Sequence, residues 1–352
     1  MNKLHIFQLL FIIFSIGCSR QSSDISITIV NDFPQNITIS GAPIESMKEK
    51  HYAINGLIVI DSFLVVLDMN EKKPIFVYST ETYELRGEFS SIGRGPGEFI
   101  SPTIIKHSDL FNSFLNIYDS SLGILTRVDI ASSIENNEYI YTNTSCDIWN
   151  KAFTDRVFFE TKDFCCVEPE GQWFSFYNEK DNKFTNVPYP KLKFSFRDEN
   201  IRYRLFYPEI CYNPILSKVV VSSFFIGYLS LYDTAGEHLT TIDYDFDPDY
   251  MKDLKSLNSN NRIALKNYIG DMQADSQYIY AVNYNFRGEV SESPEKNEIL
   301  IFDWNGLPVK RLSLDRAIGV IALDYDKKKM FGYGTCEDDF PIIVYDMTSW
   351  EL

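Results

Sequence analysis

The feature of this sequence that most constrains its fold is a short pattern that recurs six times. Each copy consists of an apolar residue, an aromatic residue and then Ser, Asp or Asn, and a turn and a second apolar strand follow it. A short polar side chain at the end of a strand favours a hairpin, because it can hydrogen-bond its own backbone and start the turn. The six copies are residues 77–79, 117–119, 176–178, 231–233, 301–303 and 344–346.

Six hairpins, several of them with a further strand candidate upstream, predict six small antiparallel sheets. We therefore expect an all-β protein, a six-bladed β-propeller, in which a closed ring of sheets leaves few exposed edges. The chain contains 27 Phe and 22 Tyr among its 352 residues, a composition that favours strands. The alternative is that the copies are coincidental in a Tyr-rich β protein, built as a sandwich or as two stacked sheets.

The spacing of the copies indicates where the ring carries insertions. The aromatic residues of successive copies lie 40, 59, 55, 70 and 43 residues apart, whereas a blade of four short strands needs about 40 to 50 residues. The longest interval contains a helical pattern at about residues 247–270, where Asp247 suits a helix N-cap and Pro248 the first helical position. We expect one or two short helices there, inserted into the fifth blade. Residues 25–30 are expected to complete the last blade and close the ring.

The N-terminal region predicts export and a lipid anchor. Lys3 precedes an apolar stretch over residues 4–16, and Gly17 and Cys18 follow it. This stretch is shorter than the roughly 20 apolar residues that a membrane-spanning helix needs. The junction resembles a lipobox, so Cys18 is the predicted lipidation site, with ordinary signal cleavage or an uncleaved anchor as the alternatives. The predicted organisation is a lipoprotein signal peptide at 1–17, a polar tether at 18–24 and a propeller domain at 25–352.

The charge of the chain limits its partners. The formal net charge is −16, and removal of the signal peptide with its single Lys3 makes it −17. Such a protein repels nucleic-acid phosphates and anionic headgroups, so nucleic acid is not expected as a partner. Membrane association is expected through N-terminal acyl chains, which predicts a location in the cell envelope, in the outer membrane, on its periplasmic or surface face.

The most distinctive segment is a glycine-rich stretch at residues 91–102. Its three glycines within residues 93–97 let the backbone adopt positive φ, and Pro96 stiffens the turn. With Phe99 and Pro102 behind the glycines, this stretch resembles the connector of NHL-type repeats. Together with the lipobox and the six repeated units, it makes the chain resemble the TolB-like six-bladed β-propeller lipoproteins over about residues 25–352. The resemblance implies a fold and an envelope location but no activity, so it assigns no catalytic residue.

Arg94, Glu98 and His107 are the candidate ligand-binding residues. The first two lie in the glycine-rich connector, which is expected to join two blades and to pack Phe99 between them. Arg94 could bind a ligand carboxylate at the mouth of the channel, or it could form an ion pair with Glu98. The connector role and the ligand role both remain open at this point.

The sequence contains none of the familiar motifs for catalysis or for cofactor binding. It has no G-x-S-x-G string, no H-E-x-x-H string and no phosphate-binding loop that ends in Gly-Lys. Acidic residues alternate from Asp243 to Asp249, but Pro248 occupies the sixth position, where an EF-hand calcium loop needs Gly. We interpret this run as a strand edge that leads into a helix cap, and we expect no metal and no cofactor.

The cysteines predict a limited set of disulfides. Five remain apart from the lipidated Cys18, and in an oxidising compartment this odd number predicts at most two disulfides and one remaining thiol. Zinc is a weak alternative, because the histidines are scattered without the spacing of paired ligands. The five cysteines are Cys146, Cys165, Cys166, Cys211 and Cys336.

Three functions are compatible with the sequence. The first is an envelope-anchored lipoprotein whose propeller binds a peptide, a glycan or a protein partner, with no catalysis evident. The second is a propeller enzyme of the lyase, glycosidase or lactonase type, with acidic residues converging on the axis. The third is a structural subunit of an envelope complex that docks through an exposed apolar patch on the helical insertion.

Overall fold

The chain folds into six sheets over the residues that the computed structural model describes. Those residues are 27–48, 50–106, 113–145, 157–161, 164–167, 171–178, 180–190, 200–245, 247–257, 265–288, 294–334 and 341–350. Within these ranges no helix is both long and apolar enough to cross a membrane.

Three short strands near the N-terminus precede the sheets. They are β1 (Ile27–Ile29), β2 (Asn36–Ile39) and β3 (Ala42–Pro43). The first sheet contains β4 (Ile54–Ile60), β5 (Phe63–Asp68), β6 (Ile75–Ser79) and β7 (Leu85–Phe89). The second contains β8 (Pro102–Ile104), β9 (Leu115–Asp119), β10 (Ile124–Val128) and β11 (Tyr141–Ser145). The third contains β12 (Val157–Thr161), β13 (Phe164–Val167), β14 (Phe174–Asn178) and β15 (Lys183–Val187).

The last three sheets follow in the same manner. The fourth contains β16 (Pro208–Asn213), β17 (Lys218–Ser223), β18 (Tyr228–Asp233) and β19 (His238–Asp243). The fifth contains β20 (Lys266–Ala274), β21 (Tyr278–Arg287), β22 (Glu298–Asp303) and β23 (Pro308–Leu314). The sixth contains β24 (Ile318–Asp324), β25 (Lys329–Gly334) and β26 (Ile342–Asp346). The helices of the described ranges are short, namely α1 (Ile130–Asn136), α2 (Asn200–Leu205) and α3 (Pro248–Ser256).

The sheets are arranged as a β-propeller, which confirms the predicted fold class at this level. The first strand of one sheet contacts the first strand of the next, since β4 contacts β8 and β24, and β20 contacts β16 and β24. These five first strands therefore surround a common axis, and the later strands of their sheets lie farther out. The turns that join first to second and third to fourth strands lie at one end of each sheet, called the turn end. The chain passes from one sheet to the next at the other end, called the connector end.

The hydrophobic core lies between neighbouring sheets. Between the first and second sheets, for example, Val65 and Leu115 belong to one buried cluster that also contains Phe99. This packing explains why the first sheet is apolar on both faces: one face is buried against the second sheet and the other against the sixth.

The polar residue of each repeated pattern starts a turn, as the sequence predicts. In all six copies its side chain accepts a hydrogen bond from a backbone N–H two or three residues further along the chain, over 2.8 to 3.2 Å. These acceptors are Ser79, Asp119, Asn178, Asp233, Asp303 and Asp346.

The second copy occupies a different strand from the other five. Residues 117–119 end the second strand of their sheet, whereas the other copies end third strands. The third strand of the second sheet is β10, and Asp129 behind it caps α1 by accepting the N–H of Ser132. When Val128 replaces Tyr118 as the reference residue, the first two intervals become 50 and 49 residues. The irregular spacing of the copies therefore arose in part because the second copy belongs to a different strand of its sheet from the others.

The helical insertion is shorter than the sequence predicts. Asp247 caps α3 by accepting the N–H groups of Asp249 and Tyr250, and Pro248 occupies the first turn, so the predicted start is confirmed. The helix ends at Ser256, and Lys266–Ala274 forms the inner strand β20, so the predicted helical range to about residue 270 overlaps the start of this strand. The prediction for this part was wrong because β20 pairs with β21 and is buried between sheets, and this environment overrides the helical spacing of its apolar residues.

The N-terminal strands cross the outer edges of the last three sheets. β1 adds in parallel to β19, β2 adds in parallel to β23, and β3 pairs antiparallel with β26. The sixth sheet is therefore completed by Ala42–Pro43, and the prediction that residues 25–30 complete it was wrong. Phe33 lies between β1 and β2 and packs edge-on against Phe302, with ring centroids 5.3 Å apart. Burial of this ring holds the segment against the fourth and fifth sheets.

Candidate functional site

Two of the predicted site residues lie outside the described residues. They are Cys18, the predicted lipidation site, and His107, one of the candidate ligand residues. Cys146 and Cys336 also lie outside, so the disulfide prediction stays a prediction. In the part of the chain that the structure describes, no group of three or more His, Cys, Asp or Glu side chains is placed to hold a metal ion.

The other two candidates lie in the connector between the first and second sheets. The Glu98 carboxylate accepts the backbone N–H of Gly95 at 2.6 Å and the Ser91 hydroxyl at 3.0 Å, so it stabilises the connector itself. Arg94 is exposed to solvent. Phe99 is buried between the two sheets, which confirms the predicted connector role of this segment.

A buried ion pair crosses the axis of the propeller. The Lys106 ammonium, which follows β8, lies 2.8 and 2.6 Å from the two carboxylate oxygens of Asp271 on β20. It also donates to the backbone carbonyl of Ile321 on β24 at 3.2 Å. Both charged side chains are 11% exposed. The second, fifth and sixth sheets therefore meet at one pair of opposite charges.

The inner edge of the sixth sheet is bound by side chains of the fifth. The Asp271 carboxylate accepts the N–H of Ile321 at 2.8 Å. The Gln273 side chain donates to the Ile321 carbonyl at 2.8 Å and accepts the N–H of Leu323 at 3.0 Å. Edge-strand N–H and C=O groups need such partners when they are buried. Lys106 and Asp271 thus satisfy each other, and both of them together with Gln273 satisfy the β24 backbone.

A second polar cluster lies between the fourth and fifth sheets towards the connector end. It consists of Asp245, Lys266, Asn283, Glu298 and Arg311, and is called the connector-end cluster. Asn283 donates to the Glu298 carboxylate at 2.7 Å, and the Arg311 Nε lies 3.6 Å from that carboxylate. Lys266 forms an ion pair with Asp245. The side chains of Asp245 and Arg311 are about one third exposed, so solvent reaches this cluster.

The environment of Glu298 favours its protonated form. Burial raises the pKa of this carboxyl above its ordinary value, and the nearby charge of Asp245 acts in the same direction. Arg311, the Asn283 hydrogen bond and Lys266 oppose this increase only in part. A carboxyl with a raised pKa beside a second carboxylate is a feature of acid–base sites, although ion-pair networks also produce it.

The comparisons with known proteins agree with this architecture. Residues 55–326 match the family described as TolB-like 6-blade propeller-like. The chain belongs to this TolB-like propeller family. Comparison with curated proteins finds no match to the sequence.

Two solved structures resemble the TolB-like chain in fold. One is a member of the DUF4221 family from Bacteroides vulgatus, with a TM-score of 0.54 and 10% sequence identity over 87% of this chain and 95% of the other. The other is a protein from Bacteroides fragilis described as exported, with a TM-score of 0.50 and 10% identity over 90% and 99% of the two chains. At this identity the likeness concerns the fold alone.

A buried His–Asp–Tyr network in this TolB-like chain resembles a catalytic arrangement. His51 contacts Asp68 through Nδ1 at 3.2 Å and Tyr78 through Nε2 at 2.8 Å. Burial raises the pKa of Tyr78. Burial also acts to raise the pKa of Asp68, but the hydrogen bonds from His51 and from the Asn70 backbone outweigh this effect, so the pKa of Asp68 is lowered. All three side chains are buried, with Asp68 and Tyr78 on strands of the first sheet and His51 in the segment that precedes it. The network therefore stabilises that sheet.

The helix α3 of the TolB-like chain does not present the apolar surface that a docking role requires. Its apolar residues Tyr250 and Leu254 are buried against the propeller. Its outer side carries Asp249 and Lys252, which form an exposed ion pair. The hypothesis of a structural subunit that docks through this helix therefore loses its support.

Sequence reasoning missed the residues of both polar clusters. Asp271 and Gln273 lie two residues apart and so share one face of β20, but the helical insertion was predicted to extend to about residue 270, immediately before them. The alternation of polar side chains in an apolar strand was the available signal. Lys106 carried no signal, because its partner Asp271 lies 165 residues away in sequence.

Proposed function

We propose that this chain is a cell-envelope lipoprotein, anchored to the outer membrane through acyl chains on Cys18, whose propeller binds a peptide, a glycan or a protein partner without catalysis. In this proposal each of the six sheets is one blade of a closed six-bladed ring. The lipobox-like junction at Cys18 supports the anchor, and the ring of sheets supports a rigid binding scaffold.

The axial ion pair is the observation that carries the non-catalytic proposal. A propeller enzyme of the predicted type needs acidic groups on the axis that are available to a substrate. Asp271, an acidic residue at the axis, already accepts hydrogen bonds from Lys106 and from the Ile321 backbone. Its oxygens are engaged in holding three sheets together, which leaves binding to the surfaces around the axis.

The connector-end cluster is the surface best suited to a polar ligand. Lys266 and Arg311 supply donors, and Asp245 supplies an acceptor, all within reach of solvent. Aromatic rings lie beside both cations, since Lys266 is 5.2 Å from the Tyr268 ring centroid and Arg311 is 5.0 Å from that of Phe33. Such a mixture of charges and aromatic rings is typical of sites that bind peptides or sugars.

A thermal-shift screen with the processed full chain tests the binding proposal. A ligand at about 100 times its dissociation constant adds roughly 2.7 kcal/mol to stability, which raises the melting temperature. We expect such a shift with a peptide or an oligosaccharide, and we expect Arg311→Met to abolish it. The matched control Arg86→Met removes an exposed arginine of the first sheet and should leave the shift unchanged. The proposal fails if no ligand shifts the wild type, or if both variants bind equally well.

Lipid anchoring is tested separately by metabolic labelling with palmitate. The wild-type chain should carry the label and sediment with outer membranes, and Cys18→Ala should lose the label and leave the membrane fraction. An unlabelled wild-type chain contradicts the anchor and leaves the binding proposal intact.

Glu298 is the observation that favours the enzyme hypothesis as a second candidate. Its raised pKa and the neighbouring Asp245 supply a proton donor and a base in one cluster. If the propeller cleaves a glycan, a ligand found by the screen should be turned over, and Glu298→Gln should abolish turnover while leaving the thermal shift in place. Binding without any product favours the first proposal.

A further inference from the structure

The turn end of the fourth and fifth sheets exposes three large aliphatic side chains. Ile215 and Leu216, in the turn between β16 and β17, are 76% and 45% exposed. Leu307, in the turn between β22 and β23, is 61% exposed. These three residues are called the apolar rim. Aliphatic side chains exposed together at neighbouring turns indicate a surface that is covered by something apolar.

The two turns of the apolar rim meet across a shared groove. The groove has a volume of about 540 Å³, and Leu216, Tyr278, Trp304 and Val309 are among its lining residues. The Lys218 ammonium of the fourth sheet donates to the Trp304 carbonyl of the fifth at 2.6 Å. The rim therefore belongs to one continuous surface formed by both sheets.

Hydrogen bonds hold this surface in place. The Asp303 carboxylate accepts the N–H groups of Asn305 and Leu307, each at 2.8 Å, so the turn that carries Leu307 is fixed from within. The Asn213 side chain of the fourth sheet donates to the Ser276 carbonyl of the fifth at 3.3 Å. The exposure of the rim is thus a property of an ordered structure.

The path of the N-terminal segment places the predicted anchor at the same end of the molecule. β1 runs parallel to β19, and β19 begins directly after a turn of the turn end, so the chain approaches Ile27 from that end. The nine peptide steps from Cys18 to Ile27 can span at most about 30 Å. An acyl chain on Cys18 would therefore hold the turn end of the fourth sheet close to the bilayer.

Charge selects the kind of membrane surface. The mature chain has a formal charge of −17, as calculated above, and anionic headgroups repel it. Aliphatic side chains can instead enter the interface of a bilayer with zwitterionic headgroups. From the rim, the tether and the charge together, we infer that Ile215, Leu216 and Leu307 insert into the interface of the membrane that holds the anchor. The inference rests on the lipid anchor of the proposed function, and it orients the connector-end cluster away from the bilayer.

Tryptophan quenching tests this orientation in the processed full chain, reconstituted into phosphatidylcholine vesicles that contain a brominated lipid. Leu307→Trp places a fluorophore in the rim. The matched control Ile92→Trp places one at a residue that is 47% exposed in the connector between the first and second sheets. After subtraction of the wild-type signal, Leu307→Trp should show a blue-shifted emission that brominated lipid quenches, whereas Ile92→Trp should show neither effect.

The possible outcomes separate this inference from the anchor on which it rests. Palmitate labelling is measured on the same samples. A labelled chain whose Leu307→Trp emission is unquenched overturns the inference, leaves the anchor intact and assigns the rim to a protein partner. Equal quenching at positions 307 and 92 also overturns it. An unlabelled chain that is still quenched at Leu307 supports insertion of the rim and contradicts the anchor.

Discussion

At the scale of single residues, one polar side chain at the end of a strand has the same role in every sheet. Each of the six side chains accepts at least one N–H group of the turn that follows, and three of them, Ser79, Asp233 and Asp303, accept two such groups. These bonds replace the strand pairing that the turn residues lose, and they fix the direction of the next strand.

Substitution of Asp303 measures how much the hydrogen bonds of one such turn contribute to the free energy of unfolding. Asp303→Ala removes the acceptor for two backbone N–H groups and should lower the free energy of unfolding by about 1 kcal/mol. The control Asp326→Ala removes an exposed carboxylate from the turn between β24 and β25 and should change stability by less than about 0.5 kcal/mol. Urea unfolding measures both values, and equal losses would contradict the role of the Asp303 side chain.

The buried Asp68 makes stability depend on pH in acid. Because the pKa of Asp68 is lower in the folded state than its ordinary value of 3.8, the unfolded chain takes up its proton first as the pH falls. The stabilisation is present above the ordinary value and is lost as the pH falls through the folded-state pKa. Stability measured from pH 5 down to about pH 2 should therefore fall more steeply in the wild type than in Asp68→Asn. Parallel curves for the two proteins would rule out this contribution.

At the scale of elements, the glycine-rich connector combines a tight turn with an anchor for two sheets. Gly97 adopts a φ of 77°, and the ring of Tyr141 lies where a Cβ would be, so a larger residue has no room there. The connector returns to the second sheet where the Asp119 carboxylate accepts the N–H groups of Ile100 and Ser101 at 2.6 and 3.0 Å. The element therefore sets the relation between the first two sheets.

Truncation of Phe99 tests this role of the connector. Phe99→Ala leaves a cavity between the first and second sheets and should cost about 3 to 5 kcal/mol of unfolding free energy. Ile92→Ala, an exposed position in the same connector, should cost less than about 0.5 kcal/mol. Guanidinium unfolding distinguishes the two, and a small loss for Phe99→Ala would show that the sheets pack without it.

At the scale of the whole molecule, the axial ion pair links sheets that are distant in sequence. Lys106 follows the first strand of the second sheet, and Asp271 belongs to the first strand of the fifth. Removal of one partner from a nearly buried pair leaves an uncompensated charge, whereas removal of both leaves polar and apolar groups that can be accommodated.

A double-mutant cycle measures this link. Lys106→Met should lower the free energy of unfolding by about 3 kcal/mol, because Asp271 is left charged and nearly buried. The double variant Lys106→Met with Asp271→Asn should be more stable than Lys106→Met alone, since the introduced amide is neutral and keeps an acceptor for the Ile321 N–H. Additive losses in the cycle would show that the two side chains do not interact across the axis.

Features that depend on neighbours in sequence were accessible without the structure. The six turns, the cap of α3 at Asp247 and the connector around Phe99 rest on contacts within a few residues, and the structure confirms all three. The all-β propeller class followed from their repetition. Local chemistry of this kind does not depend on where the rest of the chain lies.

Only the tertiary structure decided the features that depend on distant parts of the chain. Lys106 meets Asp271 across 165 residues, and β20 is a strand because a neighbouring strand pairs with it despite its helical spacing. The N-terminal strands join the fourth, fifth and sixth sheets because parallel pairing and the burial of Phe33 are available there. The sequence by itself determined the repeated unit, whereas the propeller arrangement of the sheets determined which edges, charges and rings of different units come into contact. The physical reason is that the pattern of residue types along the chain indicates which side chains are buried and where turns occur. It does not indicate which distant residue a given side chain contacts.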